Sequence, residues 1–398
     1  MELTGKKIVI IVENLPLPFD RRVWQESNTL KEAGAEVFII CPKGKGYDID
    51  YEVIDGIHIY RYRLPLEAKG ALGYFLEYSY SLFYQRKLLN KIWNEHGKFD
   101  VIQACNPPDL IYLNVKKYIK KGVKFIFDHH DINPELYIAK FNRKDIFYKL
   151  LQYFERQTFR YANLSIATNE SYKEIAIKRG LMEPSKVFVV RSGPDLSRLK
   201  IQESKLEIKK NKLITIGYIG VIGQQEGIDH LLEILKILLD KYNFNNFHCY
   251  IIGDGPVRDN MIKMSYEMKL EDFVSFPGRI PDSEMLDILN SCDICVNPDI
   301  YNEMNDKSTM NKIMEYMALG KPIVQYNLTE GRISAGEASL YAKKNNRDDF
   351  ADKIMELVNN EEKRLLMSKY GKDRVYNDLH WGIEKYKYLD VYKKILAL

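Results

Sequence analysis

One short polar segment carries residue types that can bind a phosphate and hydroxyl groups together. Residues 305–324 contain a polar loop, a helical pattern, a glycine stop and an apolar strand. The hydroxyl of Ser308 or Thr309 can cap the helix, which we expect to end at Gly320. Free amides at a helix start favour a phosphate. Glu315 lies further along the helix, where its carboxylate can accept hydrogen bonds from two hydroxyls of a ribose.

The first turn of this predicted helix supplies the other contacts. Asn311 and Lys312 precede Glu315 by four and three residues, so all three side chains lie on one side of the helix. The alternative is an ordinary helix-to-strand turn of an α/β domain, without a ligand. The predicted binding residues of the segment are Ser308, Thr309, Met310, Asn311, Lys312 and Glu315.

Two turns that contain glycine follow predicted strands upstream. The first, residues 217–227, leads into a predicted helix, and its glycines let the backbone approach a phosphate closely. The second lies at 251–256 and is equally typical of a turn without ligand contact. The predicted contacts are Gly220, Gly223, Gln224, Gln225 and Gly253.

A loop at residues 276–284 offers backbone hydrogen-bonding groups at Ile280 and, at Arg279, planar positive charge that suits a phosphate. The alternative is a surface arginine without a function.

Two polar segments of the first half follow predicted strands. The sequence Asp128-His-His-Asp131 ends a buried strand, where a histidine can project into a ligand site, although a solvated loop or a helix cap is the alternative. Further upstream, Asp20 can cap a helix, and Arg21 and Arg22 can bind a phosphate or can simply begin that helix.

Together these motifs resemble the family 4 retaining glycosyltransferases, which have the GT-B fold, over nearly the whole chain. The resemblance implies that Glu315 holds the ribose of a nucleotide sugar, that 276–284 wraps the base, and that a histidine contacts the transferred sugar. His130 fits that histidine slightly better than His129. The implied catalytic residues are His130, Asp131 and Glu315, and the implied acceptor-binding residues are Asp20, Arg21, Arg22 and His129. The resemblance also implies retention of configuration, with no metal and no cofactor.

The chain departs from the family at two places. Val221 and the run Gln224-Gln225-Glu226 stand where many relatives have an arginine and a lysine that neutralise the diphosphate. Lys307 stands where the first glutamate of the family's Glu-x7-Glu pair is expected. The candidates to replace that glutamate are Glu303, Asn305 and Asp306.

The elements that position these residues alternate between apolar strands and amphipathic helices, which implies parallel strands joined by crossover helices. The predicted strands are 7–12, 36–41, 99–104, 124–128, 163–168 and 186–190, then 212–220, 247–253, 273–276, 293–296 and 322–325. A length of 398 residues suits two domains.

We therefore predict an α/β protein of the GT-B class, with two doubly wound Rossmann-like domains facing a central cleft. The acceptor-side domain is expected at 1–195 and the nucleotide-sugar domain at 210–379. The resemblance implies that a C-terminal helix, 380–398, completes the first domain.

Composition and charge restrict the partners. Five scattered cysteines suit a reducing cytoplasm, and no apolar run reaches the roughly 20 residues that span a bilayer. Residues 1–200 carry 32 Lys and Arg against 24 Asp and Glu, although the whole chain has a net charge of only +4. No nucleic-acid-binding motif is present. An anionic membrane surface or a diphosphate-linked acceptor is the expected acidic partner.

Two segments mix aromatic and basic residues, 74–93 and 141–161. Aromatic stripes at helical spacing are most often core, but the mixture also fits a face at a membrane interface. On the second interpretation, Arg86, Lys87, Arg143 and Lys144 contact anionic lipid and the protein is peripheral at the inner face of the cell membrane.

The sequence thus predicts a glycosyltransferase that moves a sugar from a UDP-sugar to a hydroxyl of a polysaccharide or lipid-linked saccharide acceptor. Two alternatives remain open at this point. A UDP-sugar epimerase of the same fold would use the same nucleotide site, and a non-catalytic nucleotide-sugar-binding protein is compatible with the missing first glutamate.

Overall fold

The computed structural model describes residues 2–64, 70–201 and 213–397, without the side chains of 70–72, 74 and 75. The chain forms two compact units. The first comprises the residues up to Ser192 together with those from Ile383 onward, and the second comprises Gly193–Gly382. The expected boundaries were 195 and 380, and the expected start of the second domain, residue 210, lies outside the described residues.

The first unit is built on an eight-stranded sheet with the order β3-β4-β2-β1-β5-β6-β7-β8. All neighbouring strands are parallel except β3 and β4. The strands are β1 (Lys7–Ile11), β2 (Glu36–Pro42), β3 (Tyr51–Ile54), β4 (Ile57–Tyr62), β5 (Val101–Cys105), β6 (Lys124–His129), β7 (Leu164–Ala167) and β8 (Val187–Val189). The helices are α1 (Arg21–Glu32), α2 (Gly70–His96), α3 (Tyr112–Ile119), α4 (Asn133–Phe141), α5 (Ile146–Tyr161) and α6 (Glu170–Lys178).

The antiparallel pair β3–β4 was not predicted. Its turn is Asp55-Gly56, and both residues have positive φ, 50° and 80°. Two consecutive residues with positive φ form the tight hairpin turn for which Asp-Gly is a strong sequence signal. The hairpin extends the edge of a sheet that is otherwise parallel.

The second unit has a six-stranded sheet with the order β11-β10-β9-β12-β13-β14, parallel throughout. Five of its strands were predicted and β14 was not. The strands are β9 (Ile214–Ile219), β10 (Phe247–Ile252), β11 (Val274–Gly278), β12 (Ile294–Asn297), β13 (Ile323–Tyr326) and β14 (Ser339–Ala342). The helices are α7 (Ile228–Asp240), α8 (Arg258–Glu267), α9 (Asp282–Ser291), α10 (Glu303–Lys307), α11 (Asn311–Ala318), α12 (Thr329–Ala335), α13 (Arg347–Val358) and α14 (Glu361–Arg374).

The last helix, α15 (Trp381–Ala397), returns to the first unit. The hydroxyls of Tyr388 and Tyr392 donate to Oε1 of Gln103 in β5 at 2.7 and 2.6 Å. Tyr388 and Tyr392 are fully buried, whereas Tyr386 is 63% exposed. Within the part of the chain that the structure describes, no helix is long and apolar enough to cross a membrane.

Candidate active site

Helix α11 begins at Asn311, two residues after the predicted start. The Ser308 hydroxyl donates to the Met304 carbonyl at 2.8 Å, so it closes the end of α10 and does not cap α11. Met310 holds the N-cap position of α11, and its side chain makes no capping hydrogen bond. The predicted cap position, Ser308 or Thr309, was therefore wrong by one or two residues. The amides at the start of a helix suit an anionic ligand.

Lys312 lies in that first turn, beside the glycine turn that follows β9. Its ammonium lies 2.9 Å from Oδ1 of Asp299 and 3.4 Å from the Tyr218 hydroxyl, and the side chain is only 11% exposed. A Cβ at Gly220 would lie 3.6 Å from Cε of Lys312. Burial lowers the pKa of Lys312, but Asp299 outweighs burial and the net pKa is raised. The fold thus keeps a cation at the carboxyl end of β9.

Glu315 lies on the next turn of α11 and pairs with Arg198. Arg198 also contacts Oδ2 of Asp282 at 3.2 Å. The hydroxyl of Tyr316 accepts a hydrogen bond from the Ile219 amide at 2.8 Å, which fixes α11 against the end of β9. The sequence analysis missed Arg198, since it lies 117 positions from Glu315 and between the two predicted domains. The sign of its charge was the only local signal.

The glycine turns after β9 and β10 pack against each other. Gly253 has φ +141°, and a Cβ there would lie 1.8 Å from the carbonyl oxygen of Gly220. The approach of the two backbones therefore requires glycine at 253, whether or not a ligand is bound. A Cβ at Gly223 would lie 2.5 Å from Oε2 of Glu226, so the carboxylate of Glu226 is folded back over its own turn.

The glutamine run after Gly223 divides between solvent and structure. Gln224 is exposed. The carbonyl of Gln225 accepts from Nδ2 of Asn305 at 2.9 Å and from the Ile300 amide at 3.1 Å. The turn is thereby tied to the loop that precedes α10.

These contacts also separate the three candidates for the missing first glutamate. Asn305 is 3% exposed, and its side-chain amide donates to the carbonyls of Gln225 and Ile300. The Asp306 carboxylate accepts from the amide and hydroxyl of Thr329 at 3.0 and 2.9 Å. Glu303, at the start of α10, is exposed.

The predicted base-binding loop follows β11. Arg279 is exposed and Ile280 packs on the apolar cluster that includes Ile313 and Met317 of α11. Backbone at Ile280 is thereby held next to the helix that carries Lys312 and Glu315.

In the first unit, His130 follows β6 and belongs to a buried charge network. Its Nε2 lies 2.9 Å from Oδ2 of Asp128, and its side chain is 16% exposed. Burial opposes the charged imidazole, but the Asp128 carboxylate outweighs burial and raises the pKa of His130. Burial acts to raise the pKa of Asp128, but the positive charges of His130 and Arg22 outweigh burial and lower it to about 2. Nε2 of His130 also accepts from Nε of Arg22 at 2.9 Å, so this one imidazole nitrogen faces both Arg22 and Asp128.

Arg22 lies inside this network, not on an acceptor surface. It is 9% exposed and contacts Oε1 of Glu26 at 2.9 Å and Oδ1 of Asp128 at 3.3 Å. Its other guanidinium nitrogen donates to the Val190 carbonyl and the Ser192 hydroxyl at 3.1 and 2.8 Å. The prediction that Arg22 grips an acceptor was wrong, since the guanidinium is fully engaged within its own unit.

His129 is also unavailable to an acceptor. The last residue of β6, it is fully buried beside the rings of Phe127 and Phe159, and its Nε2 lies 3.4 Å from Oε1 of Glu155. Strand alternation places it on the opposite side from Asp128. The prediction of His129 as an acceptor-binding residue was therefore wrong.

The remaining predicted residues of this unit stay near the surface. The Asp20 carboxylate caps α1 by accepting from the Val23 amide at 3.2 Å, as predicted, and Arg21 is exposed. The amides of His130 and Asp131 donate to Oδ1 of Asn106 at 2.7 and 3.0 Å. These two hydrogen bonds fix the His130–Asp131 backbone at the carboxyl end of β6.

The side chains of Glu26, Cys105, Asp128 and His130 offer donor atoms within 4.8 Å of one another, a spacing that a metal ion can bridge. The donor set fits such an ion poorly, because the guanidinium of Arg22 already lies between the two carboxylates. Burial and the nearby Asp128 also raise the pKa of Glu26 to about 8, which leaves Glu26 protonated at neutral pH.

We expect a distinctive pH dependence from this buried acid. Because the folded-state pKa of Glu26 lies above its unfolded value, ionisation of Glu26 in the unfolded chain, while the native acid stays protonated, makes its contribution to stability fall as pH rises from about 4.5 to about 8. Glu26→Gln mimics the protonated acid. Its melting temperature should match that of the wild type near pH 4.5 and exceed it above pH 8, by about 1 kcal/mol or more, or about 2–4 °C. Parallel melting curves across this range would contradict the assignment.

Family models match the two halves of the chain in turn. The description "Glycosyltransferase Family 4" matches residues 20–198, and "Glycosyl transferases group 1" matches residues 200–374. The chain is 15% identical to a solved sucrose-phosphate synthase from Thermosynechococcus elongatus, with a TM-score of 0.82 over 98% of this chain and 99% of that one.

Two curated relatives are similar in sequence. The capsular polysaccharide biosynthesis glycosyltransferase CapM of Staphylococcus aureus is 26% identical over 53% of this chain and 56% of its own length. The N,N'-diacetylbacillosaminyl-diphospho-undecaprenol alpha-1,3-N-acetylgalactosaminyltransferase of Campylobacter jejuni is 25% identical over 92% of this chain and 93% of its own length. The first three curated relatives are matched over only 38% to 56% of their lengths.

The two matched family models and the two α/β units of the structure indicate the same family and fold. The chain belongs to the family 4 glycosyltransferases and has the GT-B fold.

Proposed function

We propose that this protein transfers a sugar from a UDP-sugar to a hydroxyl of a polysaccharide or lipid-linked saccharide acceptor, with retention of configuration. The observation that carries the proposal is the placement of Lys312 and Glu315 on the first two turns of α11, beside the Gly220 turn. A diphosphate needs a cation and free amides, and a ribose needs a carboxylate. One short helix presents all three.

Lys312 then takes the place of the arginine and lysine that the family's glycine turn usually supplies. Its ammonium is held by Asp299 next to Gly220, within the unit that carries the turn. Donor binding would move the ammonium from Asp299 toward the diphosphate. Leaving-group charge is stabilised by Lys312, the α11 amides and Arg279, so the proposed reaction is metal-independent and uses no cofactor.

Arg198 and Glu303 receive roles in this proposal. Arg198 pairs with the Glu315 carboxylate, and the ribose hydroxyls of the donor take its place on that carboxylate while Asp282 keeps the guanidinium paired. Glu303 is the exposed carboxylate of the three candidates and takes the sugar contact of the missing first glutamate. In the first unit, His130 contacts the transferred sugar.

The acceptor class is supported by the relatives. The names of the two curated relatives specify capsular polysaccharide biosynthesis and a diphospho-undecaprenol-linked saccharide. We propose an acceptor of this kind, used in the cytoplasm at the inner face of the cell membrane, where basic residues of the first unit meet anionic lipid.

A panel of nucleotide sugars tests the function. The true donor at about 100 times its dissociation constant should stabilise the protein by roughly 2.7 kcal/mol against thermal unfolding, whereas other nucleotides should not. The same donor should release UDP only when an acceptor is present. Formation of an epimeric nucleotide sugar without an acceptor, or binding without any turnover, would contradict a transferase.

A further inference from the structure

A cavity of about 360 Å³ lies in the first unit, outside the charge network around His130. Leu136 and Phe141 of α4 form one wall, and Leu150 and Phe154 of α5 form another. Tyr78 of α2 borders it on a further side. A volume of this size lies in the range of small-molecule sites. The walls are almost entirely hydrocarbon, so the fitting ligand is apolar.

Apolar side chains of the cavity lining are exposed to solvent on α5. Phe147 and Leu150 are each 40% exposed. Ile146 and Tyr153 of the same helix are 64% and 53% exposed. The aromatic stripe at 141–161 is therefore not wholly core. A run of exposed apolar side chains that leads into an apolar cavity marks a site for a ligand that is longer than the cavity.

One residue, Asn106, connects the cavity lining to the His130 segment. Asp109 and Asn133 form the buried polar part of the lining, here called the floor, and Oδ2 of Asp109 accepts from Nδ2 of Asn133 at 2.8 Å. Nδ2 of Asn106 donates to the other oxygen of Asp109 at 2.9 Å. Oδ1 of Asn106 accepts from the amides of His130 and Asp131. The apolar site and the predicted sugar-contacting segment are thus neighbours in one unit.

The polar groups around the cavity are arranged for an amphiphile with an anionic head. Burial, with Glu155 acting in the same direction, raises the pKa of Asp109 to about 7, so the floor carries little negative charge below neutral pH. Lys140 lines the cavity, and the guanidinium of Arg143 lies 5.7 Å from the ring centre of Phe141 at the wall. Nε of Arg143 lies 3.0 Å from Oδ2 of Asp145, so a bound phosphate would compete with that carboxylate. Cations beside apolar walls complement a phosphate attached to a hydrocarbon chain.

We propose that this cavity binds the isoprenoid chain of a lipid-diphosphate-linked saccharide acceptor. The inference rests on the proposed function, and it names the acceptor class. The first isoprene units lie between α4 and α5, the rest of the chain follows the exposed face of α5 toward the membrane, and the diphosphate lies by Lys140 and Arg143. The attached saccharide is then directed toward the His130–Asp131 segment.

Calorimetry with prenyl diphosphates below their micellar concentrations tests the site without nucleotide and without turnover. Farnesyl diphosphate should bind at least tenfold more tightly than isopentenyl diphosphate, and inorganic diphosphate should bind most weakly, because each buried methylene adds affinity. Leu150→Glu should weaken farnesyl diphosphate binding at least tenfold. The matched control is Leu365→Glu, a leucine of α14 that is 65% exposed in the other unit, and it should bind as the wild type does.

Equal weakening by both leucine variants, no binding by the wild type, or equal affinity for inorganic diphosphate would overturn the proposal. Equal sedimentation with neutral phospholipid vesicles that contain either a polyprenyl phosphate or the same fraction of an anionic phospholipid would also overturn it, since the face would then recognise only surface charge. These outcomes are independent of the donor. Prenyl binding in a protein that no nucleotide sugar stabilises would refute the proposed transferase but leave the lipid site standing, and the reverse result would refute only the lipid site.

Discussion

Replacement of Glu315 by alanine is expected to weaken UDP binding by about ten- to hundredfold while the protein stays folded. Hydrogen bonds to a charged acceptor contribute roughly 1.5 to 3 kcal/mol, which corresponds to that loss. The fold should tolerate the change because the side chain is 15% exposed and its partner Arg198 keeps Asp282 at 3.2 Å. Calorimetric titration with UDP measures the effect directly.

The matched control is Glu361→Ala, which removes an exposed carboxylate at the start of α14 in the same unit. It should leave the UDP affinity unchanged. Identical UDP affinity in wild type and Glu315→Ala, with both melting cooperatively, would show that α11 does not hold the ribose.

Local patterns in the sequence predicted eleven of the fourteen strands in the described residues. Strands such as β1 and β9 are continuous apolar runs bounded by polar turns, and burial of both faces makes such runs typical of parallel sheets. The β3–β4 hairpin was missed because it interrupts the alternation of strands and helices and only the short local signal Asp55-Gly56 marks it. The end of α10 explains the error at Ser308. A hydroxyl can close one helix or begin the next, and only the tertiary structure decides.

The candidate site depended on contacts between distant residues. Alternation along β6 predicts that His129 shares the face of Phe127, so its burial was available from the sequence. The burial of Arg22 was not, because it depends on Asp128, a residue 106 positions away. The same holds for Arg198 and Glu315, whose opposite charges gave no indication that they meet. Charge pairs between distant elements have no periodicity, and sequence patterns therefore cannot identify them.

Replacement of His130 by alanine is expected to lower turnover by about ten- to hundredfold and to leave UDP affinity unchanged. UDP lacks the transferred sugar, so a residue that contacts only that sugar contributes to turnover and not to nucleotide binding. The loss corresponds to a charge-assisted hydrogen bond of roughly 1.5 to 3 kcal/mol. Asp128 keeps Arg22 at 3.3 Å in the variant, so the buried carboxylate remains paired.

The neighbouring histidine provides the control, because the two differ in exposure and not in chemistry. His129→Gln should lower the melting temperature, since it disturbs a fully buried contact with Glu155, but it should leave turnover per folded molecule near the wild-type value.

The raised pKa of His130 adds a second readout. If the imidazolium is the form that contacts the sugar, turnover should be constant below its folded-state pKa and fall as pH rises through it, and His130→Gln should abolish that alkaline limb. Equal turnover of His130→Ala and wild type would remove His130 from the site. A loss of turnover confined to His129→Gln would place the sugar contact one residue earlier in the chain.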